Sequence, residues 1–163
     1  MISYCEYVSP LGSLLLVASE RGLCGIYFEQ HRHFKGKADD WHEKPDQEVL
    51  TRTRRQLGEF FAGTRQAFDL PFDLRGTPFQ HAVWDALLAI PFGATISYGE
   101  HARRVGKPAA VRAVGAAIGR NPVSIIVPCH RVVASSGAHT GYAGGLERKR
   151  RLLAFEAGAE ALA

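Results

Sequence analysis

The chain has 163 residues, 46% apolar and 22% charged, a composition that excludes a disordered or low-complexity protein. Its formal net charge is +4, unevenly placed: residues 1–75 carry 10 Lys and Arg against 11 Asp and Glu, whereas residues 76–163 carry 10 against 5. The positive excess is thus entirely C-terminal, which fits a polyanion partner there, although a solvated basic surface has the same signature.

The N-terminal end has no basic stretch followed by an apolar run, so no signal peptide is expected. Ile2–Val8 alternates loosely, Leu14–Ala18 is an apolar run and Leu23–Phe28 is a third, with turn signals at Ser9-Pro10-Leu11-Gly12 and Glu20-Arg21-Gly22. This pattern predicts a three-stranded antiparallel meander. The stretch from His31 to Pro45 is polar, without period, and reads as a loop. Asp46 is the expected cap of a helix whose apolar stripe is Leu50, Leu57, Phe60 and Phe61, closed by Gly63. An extended piece over Phe68–Leu74 leads to a domain boundary at Arg75-Gly76, giving domains 1–75 and 76–163.

The second half is helical with tight punctuation. Thr77-Pro78-Phe79-Gln80 is a capping box opening a helix with Phe79, Val83, Trp84, Leu87 and Leu88 on one side, stopped at Ile90-Pro91. Ser97-Tyr98-Gly99-Glu100 is a second box, for a short helix ending near Val105-Gly106. Pro108 is expected to start a third helix through Ile118, after a turn of about three residues, the spacing of a helix-turn-helix. That third helix is rich in small residues (Ala109, Ala110, Ala113, Gly115, Ala116, Ala117) around one long side chain, Arg112. Such a face suits close helix packing or entry into a nucleic-acid groove.

Asn121-Pro122 makes a turn before Val123, Ile125, Ile126 and Val127, a buried strand-like run that delivers Pro128-Cys129-His130-Arg131. A single cysteine in an apolar run is ordinarily inert core. Here Pro128 stops the run just before the thiol, and His130 and Arg131 are both able to favour the thiolate. Ser135-Ser136-Gly137 is a turn, and Thr140–Gly145 is a glycine-rich loop with Tyr142 as a hydrogen-bond donor. In the last helix, about Leu146–Ala157, Glu156 opposes the helix dipole, so it either orients a histidine or is a solvated surface acid. The three cysteines, Cys5, Cys24 and Cys129, show no CxxC spacing, which argues against a disulfide scaffold and for a cytoplasmic address. No apolar run approaches the roughly 20 residues that span a bilayer.

Together, Ile126-Val127-Pro128-Cys129-His130-Arg131-Val132-Val133, Arg112-Ala113-Val114-Gly115, Asn121-Pro122, Tyr142-Ala143-Gly144-Gly145 and Leu152-Leu153-Ala154-Phe155-Glu156 resemble the O6-alkylguanine-DNA alkyltransferases. The likeness is dense from Thr77 to Glu156 and weaker at Ser9–Gly12. It implies an α+β fold: a small ribonuclease-H-like antiparallel sheet with a helix, then a mainly helical domain with a winged helix-turn-helix-like DNA-binding motif. It implies repair of alkylated guanine in duplex DNA, in a single turnover, after the damaged nucleotide is flipped out. Cys129 is then the alkyl acceptor, His130 takes its proton through a water, Glu156 orients His130, and Asn121 bridges the helix-turn-helix to the site. Tyr142, helped by Lys149, donates to O6. The carbonyls of Cys129 and Val132 read the base's amino group. Val132, Ala143 and Ile118 belong to the substrate pocket. Arg112 fills the gap left by the flipped nucleotide and Tyr98 crowds a phosphate, with Ala110, Gly115 and Ser135 also on the DNA side.

No cofactor is implied. Some relatives hold a structural zinc, but only Cys24 among Cys5, Cys24, His31 and His33 falls on a ligand position, so no metal is expected. The expected partner is double-stranded DNA containing alkylated bases, bound by a monomer, with cooperative binding, O4-alkylthymine activity and the largest alkyl group open. Two other classes compete: a lesion-binding protein without transfer, and a cysteine hydrolase using Cys129 and His130. Cys129 itself speaks against the first. The second is disfavoured if adjacent residues on an extended strand point to opposite faces.

Overall fold

The computed structural model describes residues 1–138 and 140–162. Ala163, the end of the expected second domain, lies outside them. The three expected strands form as β1 (Ser3–Ser9), β2 (Gly12–Ala18) and β3 (Leu23–Phe28), paired antiparallel in sequence. A fourth, β4 (His42–Glu43), runs parallel to β1 inside the segment read as loop. Two polar residues at a sheet edge have no apolar alternation, so period carried no signal for them.

Helix α1 (Glu48–Phe61) packs Leu50, Leu57, Phe60 and Phe61 inward. Its cap is Gln47, whose side chain accepts from Leu50 N–H, not the expected Asp46. The same side chain donates to Ser19 O, a tertiary bond that fixes Gln47 as the capping residue.

In the second half, α2 (Pro78–Leu87) has the full reciprocal capping box between Thr77 and Gln80. Strand β5 (Ile96–Ser97) precedes α3 (Tyr98–Arg104). Ser97 caps α3, but Glu100 turns outward to Arg103 and Arg104 instead of completing the box. Helix α4 (Val111–Gly119) begins three residues after Pro108. Lys107–Ala110 closes a turn of its own, and Ala110 sits at φ −108°, ψ 38°, outside the helix. The connection is therefore Val105–Ala110, longer than expected. Trp84 Nε1 donates to Ala117 O at 2.8 Å, and one nitrogen of buried His101 lies 3.0 Å from Val83 O, tying α2, α3 and α4 together. Strand β6 (Val132–Val133) pairs parallel with β5, and α5 (Leu146–Glu156) closes the fold.

The two halves share one continuous apolar core, with Leu16, Ile26, Phe60, Leu87, Val123, Val127 and Leu152 all buried in it. Edge strand β3 is not left bare: Phe72 bridges it at Leu23 and Val123 bridges it at Ile26. The segment that precedes Cys129 is thereby hung on the sheet. Among the described residues no helix is long and apolar enough to cross a membrane.

Candidate active site

The run before Cys129 is not a strand. After the bridge at Val123 it turns through Ser124–Val127, with Ile125 at φ 73°. A β-branched residue there is strained by about 1–3 kcal/mol and persists only where its surroundings enforce it. Ile125 is 1% exposed. Asn121 does the enforcing: Nδ2 donates to Val127 O at 2.8 Å, and Oδ1 accepts from Val123 N–H at 3.0 Å. Cys129, His130 and Arg131 then form a single 3₁₀ turn. The argument from strand alternation against a Cys–His pair therefore does not apply, because these residues are not extended.

Behind the thiol lies a buried polar cluster. The imidazole of His130 is fully buried, with Nε2 2.7 Å from Glu156 Oε2. Arg131 grips the same carboxylate with two bonds, Nε to Oε1 at 2.8 Å and Nη2 to Oε2 at 2.9 Å, while Nη1 donates to Ile90 O. Glu156 is thus no surface acid. Burial would raise its pKa, but His130 and then Arg131 hold it down to about 2. A carboxylate only accepts, so His130 Nε2 carries the proton and Nδ1 is the bare base. Nδ1 is buried with no partner among the described residues. Burial pushes the His130 pKa below its ordinary value, Glu156 opposes this, and Arg131 and Lys149 add to it; the ring is neutral at neutral pH.

Cys129 is 7% exposed, and burial pushes its thiol above the ordinary range. Asn121, Lys149 and the N–H groups of Cys129 and His130 pull the other way without overcoming burial. Arg131 takes no part, since its guanidinium is committed to Glu156 and Ile90. The expectation that Arg131 favours the thiolate is corrected accordingly.

Lys149 is fully buried, and Nζ donates to Val132 O at 2.8 Å and Thr140 O at 2.7 Å. Burial lowers its pKa to about 8. The Tyr142 hydroxyl is buried, with no group among the described residues in hydrogen-bond geometry with it, and burial, then Cys129, push its pKa well up, so it stays protonated as a donor. Its ring meets His130 edge-on at 6.5 Å.

A cavity of about 340 Å³ opens in front of this cluster. Cys129, Tyr142, Ala143, Ile118, Asn121 and Tyr98 line it, and so does Gly115. Val132 does not; it is fully buried behind, its carbonyl held by Lys149. On α4, Arg112, Ala113 and Ala116 are exposed, whereas Ala117 faces the core. Ala110 is half-buried, and Ser135 is exposed on its turn. Tyr98 Oη donates to Thr140 O at 3.3 Å. Sequence reasoning missed Arg32 and His33, which come from the N-terminal half to wall the same cavity. They lie in a polar loop, and only the fold reveals the approach.

For a metal, among the described residues no group of three or more His, Cys, Asp or Glu side chains converges. Cys5 is against Arg54 and His31 Nδ1 accepts from Phe28 N–H, so these residues do not fit a zinc site.

Comparison with known proteins finds relatives over nearly the whole chain. The ribonuclease-like domain of 6-O-methylguanine DNA methyltransferase matches residues 2–74, and the DNA binding domain of the same family matches residues 78–158. A methylated-DNA–protein-cysteine methyltransferase of Mycolicibacterium paratuberculosis is 46% identical over 96% of this chain and 93% of its own. One from Methanosarcina acetivorans is 44% identical over 94% and 97%. The crystal structure of Mycobacterium tuberculosis OGT in complex with DNA superposes with a TM-score of 0.88 at 44% identity, covering 96% of this chain and 94% of that one. The chain belongs to the methylated-DNA–protein-cysteine methyltransferase family, with its ribonuclease-like and DNA-binding domains in that order.

Proposed function

We propose that this protein repairs DNA directly, by moving the alkyl group of O6-alkylguanine in duplex DNA onto Cys129, once per molecule. The observation that carries the reading is the 3₁₀ turn that sets the Cys129 thiol at the cavity wall next to His130, whose Nδ1 is unpartnered among the described residues and whose Nε2 meets Glu156. The thiol proton passes to Nδ1, through a water where one enters. Sulfur attacks the alkyl carbon, the S–C bond forms as the C–O6 bond breaks, and the electron pair stays with guanine. The Tyr142 hydroxyl donates to that oxygen, and guanine ends neutral by taking up the equivalent of the proton the thiol gave. The resting thiol, pushed up by burial, is ionised only as this base acts.

The Cys129 thioether is a C–S bond that thiol exchange does not cleave, so the free thiols Cys5 and Cys24, on β1 and β3, cannot regenerate it. Turnover therefore ends with the first transfer. An O6 substituent is out of reach inside a stacked duplex, so the nucleotide is extruded into the cavity. The exposed Arg112, on a helix face of Ala113 and Ala116, is the side chain placed to fill the gap. The division at Arg75-Gly76 makes residues 1–75 the scaffold and 76–163 the DNA-binding and acceptor unit, working as a monomer. Cys129→Ser tests the reading: it should bind duplex DNA and accept no alkyl group. Transfer by that variant contradicts the assignment of the acceptor.

A further inference from the structure

The basic wall of the cavity is not used by this chemistry. Arg32 and His33, from the loop after β3, meet Arg120, the residue that ends α4, at the mouth beside Cys129. A second cavity of about 280 Å³ shares these three residues, together with Gly119 and Asn121, and runs outward between the two halves to Arg75. All three are exposed. Among the described residues, neither Arg32 nor Arg120 has an acid within ion-pair distance, and neither guanidinium makes a hydrogen bond within the protein. Both guanidinium groups lie close enough to His33 to act on it: desolvation, then Arg120 and Arg32, push its pKa below its ordinary value.

Arg120 alone has a simple explanation, a cation at a helix C-terminus. Its convergence with Arg32 and His33 does not. The loop that brings them is held in place at a cost. Gln30 and His33 both take left-handed backbone, at φ 56° and φ 65°, without being glycine. Buried His31 accepts from Phe28 N–H at 3.2 Å, and Arg32 N–H donates to Ala143 O at 2.9 Å, in the same loop as Tyr142. Like charges are thus fixed around the mouth of a cavity, a geometry that favours an anion between them.

We propose that Arg32, His33 and Arg120 seat a backbone phosphate of the damaged strand beside the flipped nucleotide, so that the N-terminal half takes part in holding DNA. The proposal rests on the repair reading above, since the nucleotide entering toward Cys129 is what brings the phosphate to this mouth. The guanidinium groups suit phosphate oxygens through two parallel N–H bonds, and their binding releases counterions.

The test compares wild type with the double variant Arg32→Ala, Arg120→Ala. Affinity for an undamaged duplex is measured against salt, and repair of an O6-methylguanine duplex at limiting protein is compared with labelling by free O6-benzylguanine. The double variant is expected to bind the duplex about tenfold more weakly at low salt, with a log–log salt slope shallower by about one to two. Duplex repair should fall at least fivefold more than free-base labelling. Arg32→Lys with Arg120→Lys should recover most of the slope, which separates lost charge from a damaged loop. Unchanged affinity and slope, or equal loss on both substrates, overturns the proposal. Labelling of wild-type Cys129 by the free base needs no phosphate, so a failure of the repair reading shows there first and separately.

Discussion

In the proposed relay His130 serves as the base, because its neighbours leave it one tautomer. Glu156 is an acceptor at one ring nitrogen, and Arg131 keeps that acid charged inside the core. Glu156→Gln keeps much of the shape but no longer dictates the tautomer or stabilises the imidazolium. Labelling by free O6-benzylguanine should then slow at least about tenfold at neutral pH and recover in part as pH rises and the thiol ionises directly. An unchanged pH–rate profile would remove Glu156 from the relay. The substitution also leaves Arg131 buried without its carboxylate, so a stability loss of about 3–5 kcal/mol is expected, read by denaturant unfolding. For wild type, the Glu156 contribution is present above the ordinary carboxylate pKa of 4.5 and is lost as pH falls toward about 2. Proximity of His130 and Glu156 was legible only through the family likeness. On sequence alone Glu156 stays open between an acid that orients a histidine and a solvated surface acid, since its burial depends on how α5 packs against the 3₁₀ turn.

At the scale of elements, local signals and tertiary overrides separate cleanly. The three strands, the Thr77 capping box and the Tyr142 loop follow from turn chemistry and apolar period, both written locally. The start of α4 does not, because Pro108 fits the first turn of a helix equally well as the turn it occupies. Nor does the segment before Cys129, whose apolar residues fit a buried strand until Ile125 is forced into left-handed backbone by Asn121. The turn after β3 carries its own prediction. His31 accepts through Nδ1 and is held neutral, its pKa lowered from 6.5 to about 4 by burial, then Arg148 and His33. Because the unfolded chain binds this proton more readily, stability is full above pH 6.5 and is lost as pH falls toward 4, by about 3 kcal/mol. Arg148 and His33 are the charged or titratable groups that act on it, and the Tyr27 ring meets it edge-on at 5.3 Å. His31→Asn keeps an acceptor without the ionisation and should flatten unfolding free energy across this window. Equal pH dependence in the variant would assign the effect to another group.

Across the whole molecule, the N-terminal sheet and the Cys129 turn are one packed body. Arg148 of α5 reaches Leu11 O, Glu29 O and Gly144 O, with its guanidinium 4.8 Å from the Phe28 ring. Phe28 lies so close under Gly144 that a Cβ there would come within 2.4 Å of its ring. Helix α4 is held from the other side by Trp84, so its exposed face and the thiol keep a fixed relation. Arg112→Ala should therefore slow repair of duplex lesions by about tenfold or more while affecting free O6-benzylguanine less, since the free base needs no extrusion. Equal slowing on both would make Arg112 structural. The proposed repair is a single, irreversible transfer to one cysteine. Intact-mass and peptide measurement after incubation with an excess of O6-methylguanine duplex tests it most directly. One methylene per molecule, confined to the Cys129 peptide and followed by permanent loss of activity, is the expected result; repeated turnover, or the added mass on Cys5 or Cys24, would contradict it.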